Sequence, residues 1–559
     1  MTHRSTIPVA VAIISAACFL PAVSGSFLNW DDPVNFQDNV AYRGLGWEQV
    51  RWAFTTVLFG HYIPLTRLSW SLNYVLGGQD PRGYHLVNLL LHAVNVAVFY
   101  LIAHRLLTTA FHDGVQHDRH RSELCAGAAV AALVFGMHPL RVEPVAWVSG
   151  RGDVLSATFS LLAVSAYLRA VEGDGRARRG LIMVSTAAFV ASLLSKGSAL
   201  PLPLALVFLD VYPLRRVARV GWKTVVQEKI PLLVAMVAGA VVVVWAVRNG
   251  AALIPSWELG PVARLSVAAY SVLASIARFV WPAWLSPLYE MPARVSLLEP
   301  RFGLGLVVIT LVTAALIGLR RRWPAGLAVW AFTALMLVPT STAVRMTADL
   351  APDRYTYLSG LGLALLVGAG AVIAIDLLRR GIITRSLGYG VAAAGLTAIA
   401  SLAVASWSLS LIWTESETLW RWALEVDPTC SICHGKLGET ALSGPAGTRR
   451  AAEAEALFRR AIALRPDLPD AYYNLASSLV VQGRDGEVLT LLQRYMERVP
   501  LPVLRSALRR EPDAPGLREE LVQALRHQAA TLQARGLRSE ADALLAEART
   551  LRPAPASKP

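Results

Sequence analysis

The sequence is poor in charged residues and in cysteine. Only 16% of its 559 residues are charged, while 54% are hydrophobic, which is too apolar for an ordinary soluble protein. Two of the four cysteines lie inside apolar segments, so no disulfide framework holds the fold. The net charge is +14, but the sequence has no basic segment in which aromatic residues alternate with lysine and arginine, and we therefore expect no nucleic-acid partner. What remains is the composition of a multi-pass membrane protein.

Long apolar segments recur along the first three quarters of the chain. Segments of about twenty apolar residues have the length that crosses a bilayer as a helix, and about eleven such spans can be marked. They cover residues 7–25, 84–103, 124–138, 153–170, 180–195, 198–213, 230–248, 302–319, 323–339, 356–377 and 387–411. We therefore predict an all-α fold, a polytopic membrane helix bundle.

Positive charge follows the even-numbered spans. Arg105 follows the second span and Arg320 to Arg322 follow the eighth. By the positive-inside rule, these loops and the N-terminus are cytoplasmic, and everything after Trp413 faces outward. Segment 264–285 is interrupted by two arginines and several prolines, so we interpret it as a helix lying in the outer leaflet. We expect the N-terminal span to be a retained anchor rather than a cleaved signal peptide.

The sequence after residue 413 contains internal repeats. Three sets of a large residue, a small or aromatic residue and a proline align at a period near thirty-four residues. They are Trp420, Ala423 and Pro428; Phe458, Ala461 and Pro466; and Leu492, Tyr495 and Pro500. This pattern is typical of tetratricopeptide repeats, which stack into a solenoid because each helix pair exposes an apolar face. We therefore divide the chain into a transmembrane domain, 1–413, and an extracytoplasmic repeat domain, 414–559, that binds a protein or peptide.

Polar side chains accumulate at the predicted outer ends of the spans. They are Asp31, Asp32, His85, His92, His138, Arg141, Glu143, Arg151, Asp153, Lys196, Arg354 and Tyr355. Interhelical hydrogen bonds would explain His85 and His92. Salt bridges would explain most of the short loop that contains His138 and Glu143. Contacts with lipid headgroups would explain the cations at the helix ends. Alternatively, the carboxylates transfer protons and the cations bind a phosphate.

Several motifs resemble those of a known enzyme family. The sequence contains W-D-D in its first outer loop, then Y-H-L-V-N-L-L-L-H, H-P-L-R-V-E-P-V-A-W-V-S-G-R-G-D-V-L, the lysine at 196, and D-R-Y-T-Y-L. Their order, together with the repeats, resembles the transmembrane and tetratricopeptide-repeat O-mannosyltransferases and their bacterial relatives, which are GT-C glycosyltransferases. Two positions depart from that family: Ile63 stands where arginine is frequent, and Gly197 where an acidic residue is common.

The resemblance implies an inverting glycosyltransferase. Such an enzyme moves a sugar, mannose or a similar hexose, from a polyprenyl-phosphate donor to a hydroxyl acceptor, here expected to be a protein Ser or Thr on the outer side of the membrane. Asp31 or Asp32 would be catalytic, with Glu143 as a second acidic candidate, and which aspartate acts stays open. Arg354 and Lys196, with Arg141 or Arg151, would bind the phosphate. The remaining candidates for substrate binding are His85, His92, His138, Asp153 and Tyr355.

Some alternatives stay open from the sequence. We assign no metal ligands, although a divalent cation such as Mg²⁺ or Mn²⁺ could do the work of the base. The chain could instead be a non-enzymatic scaffold whose repeats assemble an envelope complex, or, third, a transporter. Cys430, Cys433 and His434 form the C-x-x-C-H pattern of haem attachment, but a disulfide or two thiols under the first repeat fit better. The excess of arginine over lysine hints at a bacterial inner membrane.

Overall fold

The computed structural model describes most of the chain before residue 489. The described residues are 3–111, 121–249, 260–292, 295–337, 348–443, 447–466, 468–488 and 491, with short segments between 518 and 551. They form two compact units, Met1–Val426 and Asp427–Pro559. Regular structure in these ranges is helical, and two isolated β-bridges join Leu58 to His61 and Glu290 to Asp349.

The first unit consists of long helices separated by short ones. In chain order its α-helices are α1 His3–Ala17, α2 Trp47–Thr55, α3 Pro64–Gly77, α4 Pro81–Ala110, α5 Arg121–Gly136, α6 Val142–Ala146, α7 Arg151–Ala170, α8 Gly175–Ser195, α9 Leu202–Val211, α10 Arg216–Asn249, α11 Pro261–Val280, α12 Pro300–Gly318, α13 Pro324–Leu337, α14 Thr356–Arg379, α15 Arg385–Ile412 and α16 Ser416–Val426. Short 3-10 helices lie at Leu20–Ser24, Pro139–Arg141, Val148–Gly150, Gly197–Ala199 and Asp353–Tyr355, and a π-helical turn at Pro33–Gln37.

Within the described residues, seven helices are long and apolar enough to cross a membrane, or eight if a pair bent by 57° forms one span. They are α4, α8, α10, α11, α12, the run Asp353–Arg379 and α15, and the bent pair is Arg121–Gly136 with Pro139–Ala146. The prediction of a polytopic membrane helix bundle is therefore confirmed. The prediction of about eleven spans is not reproduced.

Short helices account for most of the difference in span number. Thr6–Ala17, Gly197–Val211 and Pro324–Leu337 are apolar but have only 10–17 residues. Proline contributes to this, because Pro21 lies within the 3-10 helix that follows α1 and Pro201 directly precedes α9. By contrast, α11 has the length and hydropathy of a span, so its location in the outer leaflet stays a prediction.

Glycine allows α5 and α14 to approach closely. A Cβ atom on Gly127 would lie 2.7 Å from the carbonyl oxygen of Gly368, and one on Gly368 would lie 2.4 Å from the carbonyl oxygen of Gly127. Small residues at such contacts let backbones approach where no water can drive helix association. This contact packs the helix that follows Arg354 against the helix that leads to Glu143.

The second unit has four described helices, of which the first packs against the second and the second against the third. They are α17 Ser431–Ser443, α18 Gly447–Leu464, α19 Pro469–Val481 and α20 Arg538–Thr550. Phe458 of α18 is fully buried and lies against Gly438 of α17, where a Cβ atom would approach its ring to 2.6 Å. The third predicted repeat, with Leu492, Tyr495 and Pro500, lies outside the described residues, so the solenoid stays a prediction.

A disulfide joins Cys430 and Cys433 at the start of α17, and both cysteines are buried. His434 Nε2 lies 3.1 Å from the carbonyl oxygen of Pro428, within the same turn. Of the two alternatives left open by the sequence, a disulfide or two thiols, the structure shows the disulfide.

Candidate active site

Arg354 lies immediately before α14 and is bonded to two carboxylates. Its Nη1 forms an ion pair with Oε1 of Glu143, and its backbone N–H donates to Oε2 of Glu143 at 2.7 Å. Oδ2 of Asp349 lies 3.5 Å from the same Nη1. The Arg354 side chain is 13% exposed and that of Glu143 only 3%. Both oxygens of Glu143 bond to Arg354, so Glu143 holds this cation in place, and its role as a second catalytic acid stays a prediction.

Three aromatic rings surround the Arg354 guanidinium. Its Cζ lies 5.8 Å from the ring centroid of Trp30, 5.7 Å from that of Trp147 and 5.2 Å from that of Tyr355. Trp30 stacks on Trp147 with their centroids 4.8 Å apart. Ring faces stabilise a cation electrostatically. Since Trp30 directly precedes Asp31, this contact brings the predicted acidic loop to the cation.

Lys196 contacts the same tyrosine as Arg354. Its Nζ lies 6.0 Å from the ring centroid of Tyr355 and 2.5 Å from Oδ2 of Asp153. The Lys196 side chain is 11% exposed and that of Asp153 is 3% exposed. The two predicted phosphate-binding cations therefore meet at Tyr355, and each is paired with a carboxylate.

The two first-loop aspartates have different environments. We define the first loop as residues 26–38. Asp32 is completely buried; its Oδ2 accepts from the backbone N–H of Leu28 at 2.8 Å and its Oδ1 from Ser149 Oγ at 2.5 Å. Burial raises the pKa of Asp32 to about 7, above its ordinary value of 3.8. Asp31 is only half-buried. Asp32 therefore fastens the first loop, while the neighbouring Asp31 is partly exposed to solvent.

A second arginine–aspartate pair, which the sequence analysis missed, adjoins Arg354. Arg278 of α11 forms an ion pair with Asp353, and its Cζ lies 3.9 Å from the ring centroid of Tyr289. Tyr289 Oη donates to Oδ2 of Asp353 at 3.2 Å. The motif D-L-A-P-D-R-Y could have revealed these aspartates, because it places two acids within five residues of one arginine.

These carboxylates do not fit a divalent cation. Within the described ranges, no group of three or more His, Cys, Asp or Glu side chains is arranged to hold a metal ion. Glu143, Asp349 and Asp353 each bond to an arginine instead. Burial raises the pKa of Asp349 to about 6, and the charge of Arg354 opposes that rise. We therefore derive no step through a metal ion.

The three predicted histidines are buried in the helix bundle. His92 lies 2.7 Å from Tyr357 Oη through Nδ1 and 2.9 Å from the carbonyl oxygen of Gly136 through Nε2. His138 Nε2 lies 2.9 Å from the carbonyl oxygen of Phe279. His85 is 1% exposed. For His92 these contacts favour the alternative of interhelical hydrogen bonding over substrate binding, and His138 bonds to the backbone at the end of α11 rather than to a carboxylate of its loop.

The predicted arginines of the loop before α7 are also completely buried. Arg151 donates to the carbonyl oxygen of Tyr84 at 2.8 Å, and it also bonds to Asn88. The guanidinium nitrogens of Arg141 have no hydrogen-bond partner in the described part of the chain, and its Cζ lies 5.4 Å from the Tyr357 ring centroid. Arg151 is therefore bonded to its neighbours in the bundle, whereas Arg141 lies within electrostatic range of Asp353, the residue before Arg354.

An apolar cavity of about 460 Å³ lies between α4, α7, α9, α13 and α14. Its lining includes Leu161 of α7, Leu206 of α9, and Leu361 and Ile373 of α14. The three helices α7, α9 and α14 also begin near Asp153, Lys196 and Arg354, respectively. Along α14 the lining runs from roughly 9 to 27 Å beyond Tyr355, at 1.5 Å per residue. One set of helices therefore carries the charged cluster at its start and the apolar cavity farther along.

These features define a polytopic membrane protein in which two cations, each paired with a carboxylate, lie near the starts of helices that line an apolar cavity farther along. No model of a known protein family matches the chain. Its sequence is similar to that of the human protein O-mannosyl-transferase TMTC4, with 35% identity over 172 residues, which are 29% of this chain and 22% of the human protein. It is also similar to the protein O-mannosyl-transferase Tmtc1 of Drosophila melanogaster, with 37% identity over 110 residues, 20% of this chain and 11% of the other.

The predicted resemblance to these transferases is thereby confirmed. The aligned part spans less than a quarter of the length of either relative. Among solved structures, the chain is similar to the crystal structure of ArnT from Cupriavidus metallidurans bound to undecaprenyl phosphate. The identity there is 16%, the alignment covers 98% of this chain and 78% of ArnT, and the TM-score is 0.35.

Proposed function

We propose that this chain is a membrane glycosyltransferase of the GT-C type. It transfers a hexose, mannose or a close analogue, from a polyprenyl-phosphate donor to the hydroxyl group of a protein Ser or Thr, on the outer side of the membrane and with inversion. The names of the curated relatives support protein O-mannosylation as the reaction class. The observation that carries the proposal is the pair of cations at Tyr355, together with an apolar cavity lined by helices that begin near these cations.

The cations suit the leaving phosphate. Within the described part of the chain, the Arg354 guanidinium contacts Glu143 and Asp349 through Nη1. Lys196 adds a second positive charge at the same tyrosine. Glu143 and Asp153 keep both cations in place before the donor arrives, which reduces the reorganisation needed during the reaction.

The bond changes require one base. The acceptor oxygen attacks the anomeric carbon while the bond from that carbon to the phosphate oxygen breaks, and its electron pair stays on the phosphate. Asp31 takes the proton of the acceptor hydroxyl, a role that contributes about 10²–10⁴-fold to such reactions. Arg354 and Lys196 stabilise the negative charge that develops on the lipid phosphate.

The apolar cavity suits the lipid part of the donor. Its volume of about 460 Å³ lies within the range of small-ligand sites, roughly 300–1,000 Å³. Isoprenoid units are purely apolar, so their transfer into a cavity lined by leucine, phenylalanine and alanine side chains is favourable. The lining begins at Leu361, roughly 9 Å along α14 from Tyr355, so in this proposal the isoprenoid chain extends along α14 towards the cavity.

The test uses the full chain in lipid nanodiscs, a radiolabelled polyprenyl-phosphate mannose and a Ser/Thr-rich peptide. Asp31→Asn should lower the rate of sugar transfer at least about 100-fold, because it removes the base. Asp38→Asn is the matched control, since Asp38 is an exposed aspartate of the same loop, and it should transfer sugar as the wild type does.

Two results would contradict the proposal. Transfer by Asp31→Asn at the wild-type rate would remove Asp31 from the reaction. Absence of transfer by the wild type from any polyprenyl-phosphate hexose would remove the enzyme assignment and leave the scaffold alternative. A chain truncated after Val426 retains the whole first unit, so a scaffold that depends on its repeats would lose all function in that truncation.

A further inference from the structure

The segment after the last span is bonded to the first loop. The backbone N–H of Ser26 donates to the carbonyl oxygen of Thr414 at 2.9 Å. The backbone N–H of Asn29 donates to Ser416 Oγ, also at 2.9 Å. These two bonds connect positions almost 390 residues apart in the chain, on the N-terminal side of Trp30.

Tryptophan packing extends this contact to the candidate active site. Trp420 of α16 is completely buried, and its ring centroid lies 5.4 Å from that of Trp30. Trp413, which follows α15, lies 6.5 Å from Trp30. The same Trp30 ring contacts the Arg354 guanidinium. Trp30 is therefore a single ring between α16 and the proposed phosphate-binding cation.

A second contact fixes α16 to the membrane unit. Trp422 Nε1 donates to the carbonyl oxygen of Leu285 at 2.7 Å, and its ring is stacked on that of Trp284 with centroids 5.9 Å apart and planes inclined by 9°. The helix is thus held at two points, one on the first loop and one on the segment after α11. Contacts at two points restrict its motion more than either would alone.

We propose that α16 is a positioning element for the reaction and that Trp420 acts through Trp30. The proposal rests on the proposed function. Trp420 keeps Trp30 against Arg354, and the backbone bond from Trp30 to Asp31 then sets where the base stands relative to the leaving phosphate. Since the second unit begins at Asp427, directly after α16, this helix is also the covalent connection between the repeats and the reacting groups.

The first measurement needs no substrate. Hydrogen–deuterium exchange of the backbone in residues 26–38 is compared for the wild type, Trp420→Ala, Trp420→Phe and Trp407→Ala in nanodiscs. Trp420→Ala should speed this exchange, because the loop loses a packed neighbour. Trp420→Phe keeps a ring, and the indole N–H has no hydrogen-bond partner in the described residues, so its exchange should stay near the wild type. Trp407→Ala removes a tryptophan that is 45% exposed on α15, and it controls for loss of an indole.

The second measurement separates positioning from binding. Trp420→Ala should lower kcat about 10- to 100-fold, the effect of misplacing a reacting group by about 1 Å. The KM for the lipid donor should change less than kcat, because Glu143 and Asp153 still hold the two cations when Trp30 moves. Trp420→Phe should restore most of kcat. If Trp420→Ala does not give monodisperse protein, Trp420→Leu replaces it in both measurements.

The outcomes are distinct. Unchanged exchange in residues 26–38 of Trp420→Ala would overturn the proposal, whatever the activity. Faster exchange with wild-type kcat would also overturn it, since the contact would then order the loop without serving the reaction. A wild type that transfers no sugar would contradict the proposed function instead. The exchange rates of residues 26–38 would then still show whether Trp420 orders the first loop.

Discussion

Arg354 and Glu143 form a nearly buried ion pair, and removing one partner should cost stability as well as activity. Glu143 is 3% exposed, and both of its oxygens bond to Arg354. Arg354→Gln would leave this carboxylate buried without a cation, which typically costs about 3–5 kcal/mol. The double variant Arg354→Gln/Glu143→Gln replaces the ion pair with two neutral amides, so it should recover most of that loss.

Sugar transfer should respond differently from stability. Both the single and the double variant lack the guanidinium that stabilises the leaving phosphate, so both should transfer sugar about 10²–10³-fold more slowly. The free energy of unfolding is measured by SDS titration in mixed micelles, and transfer with the radiolabelled lipid donor. Arg105→Gln is the control for stability, because the Arg105–Glu172 pair is surface-exposed at Glu172 and should cost less than about 1 kcal/mol.

The reasoning would be refuted in either of two ways. Wild-type stability of Arg354→Gln would mean that the pair is not buried as described. Wild-type transfer by the double variant would mean that Arg354 does not stabilise the phosphate.

The elevated pKa of Asp32, about 7 in the folded protein against an ordinary 3.8, means that folding favours its protonated form. The contribution of Asp32 to stability is therefore complete below about pH 4 and is lost as the pH rises through 7. In unfolding titrations, Asp32→Asn should remove up to about 4 kcal/mol of this pH dependence. Identical pH profiles for the wild type and Asp32→Asn would contradict this prediction. Ala369→Phe, which fills part of the cavity lining, should raise the KM for a long-chain polyprenyl-phosphate donor but not for a short-chain one. Val367→Phe, at an exposed position of α14, should change neither KM, and equal effects of both variants would argue against a lipid tail in the cavity.

The helical architecture could be read from the sequence because hydropathy is a local property. Runs of apolar residues predicted the long apolar helices but not the helices α2 and α3, and the resemblance in motif order pointed to the correct group of relatives. The number of spans was harder to predict from the sequence. The short helix α9 and the bend after α5 depend on prolines and on neighbouring helices that satisfy the backbone groups exposed where a helix is interrupted.

The candidate site was predicted by residue type but not by role. Asp31 and Asp32 are adjacent and chemically identical, yet only Asp32 is buried and bonded to Ser149, 117 positions away. Glu143 resembles a catalytic acid in the sequence, whereas the structure bonds it to Arg354, 211 positions away. His92 looked equally suited to ligand binding and to the bundle interior, and its contact with Tyr357 favours the interior.

By itself, the sequence determined that the chain forms membrane helices, where its charges and aromatic residues are concentrated, and which transferases it resembles. Those properties depend on side-chain chemistry and on spacing within a few turns. Only the tertiary structure decided which charges pair, which aspartate stays accessible and which tryptophan contacts Arg354. Burial and pairing depend on how helices that are far apart in the sequence pack together, and no local sequence pattern determines that packing.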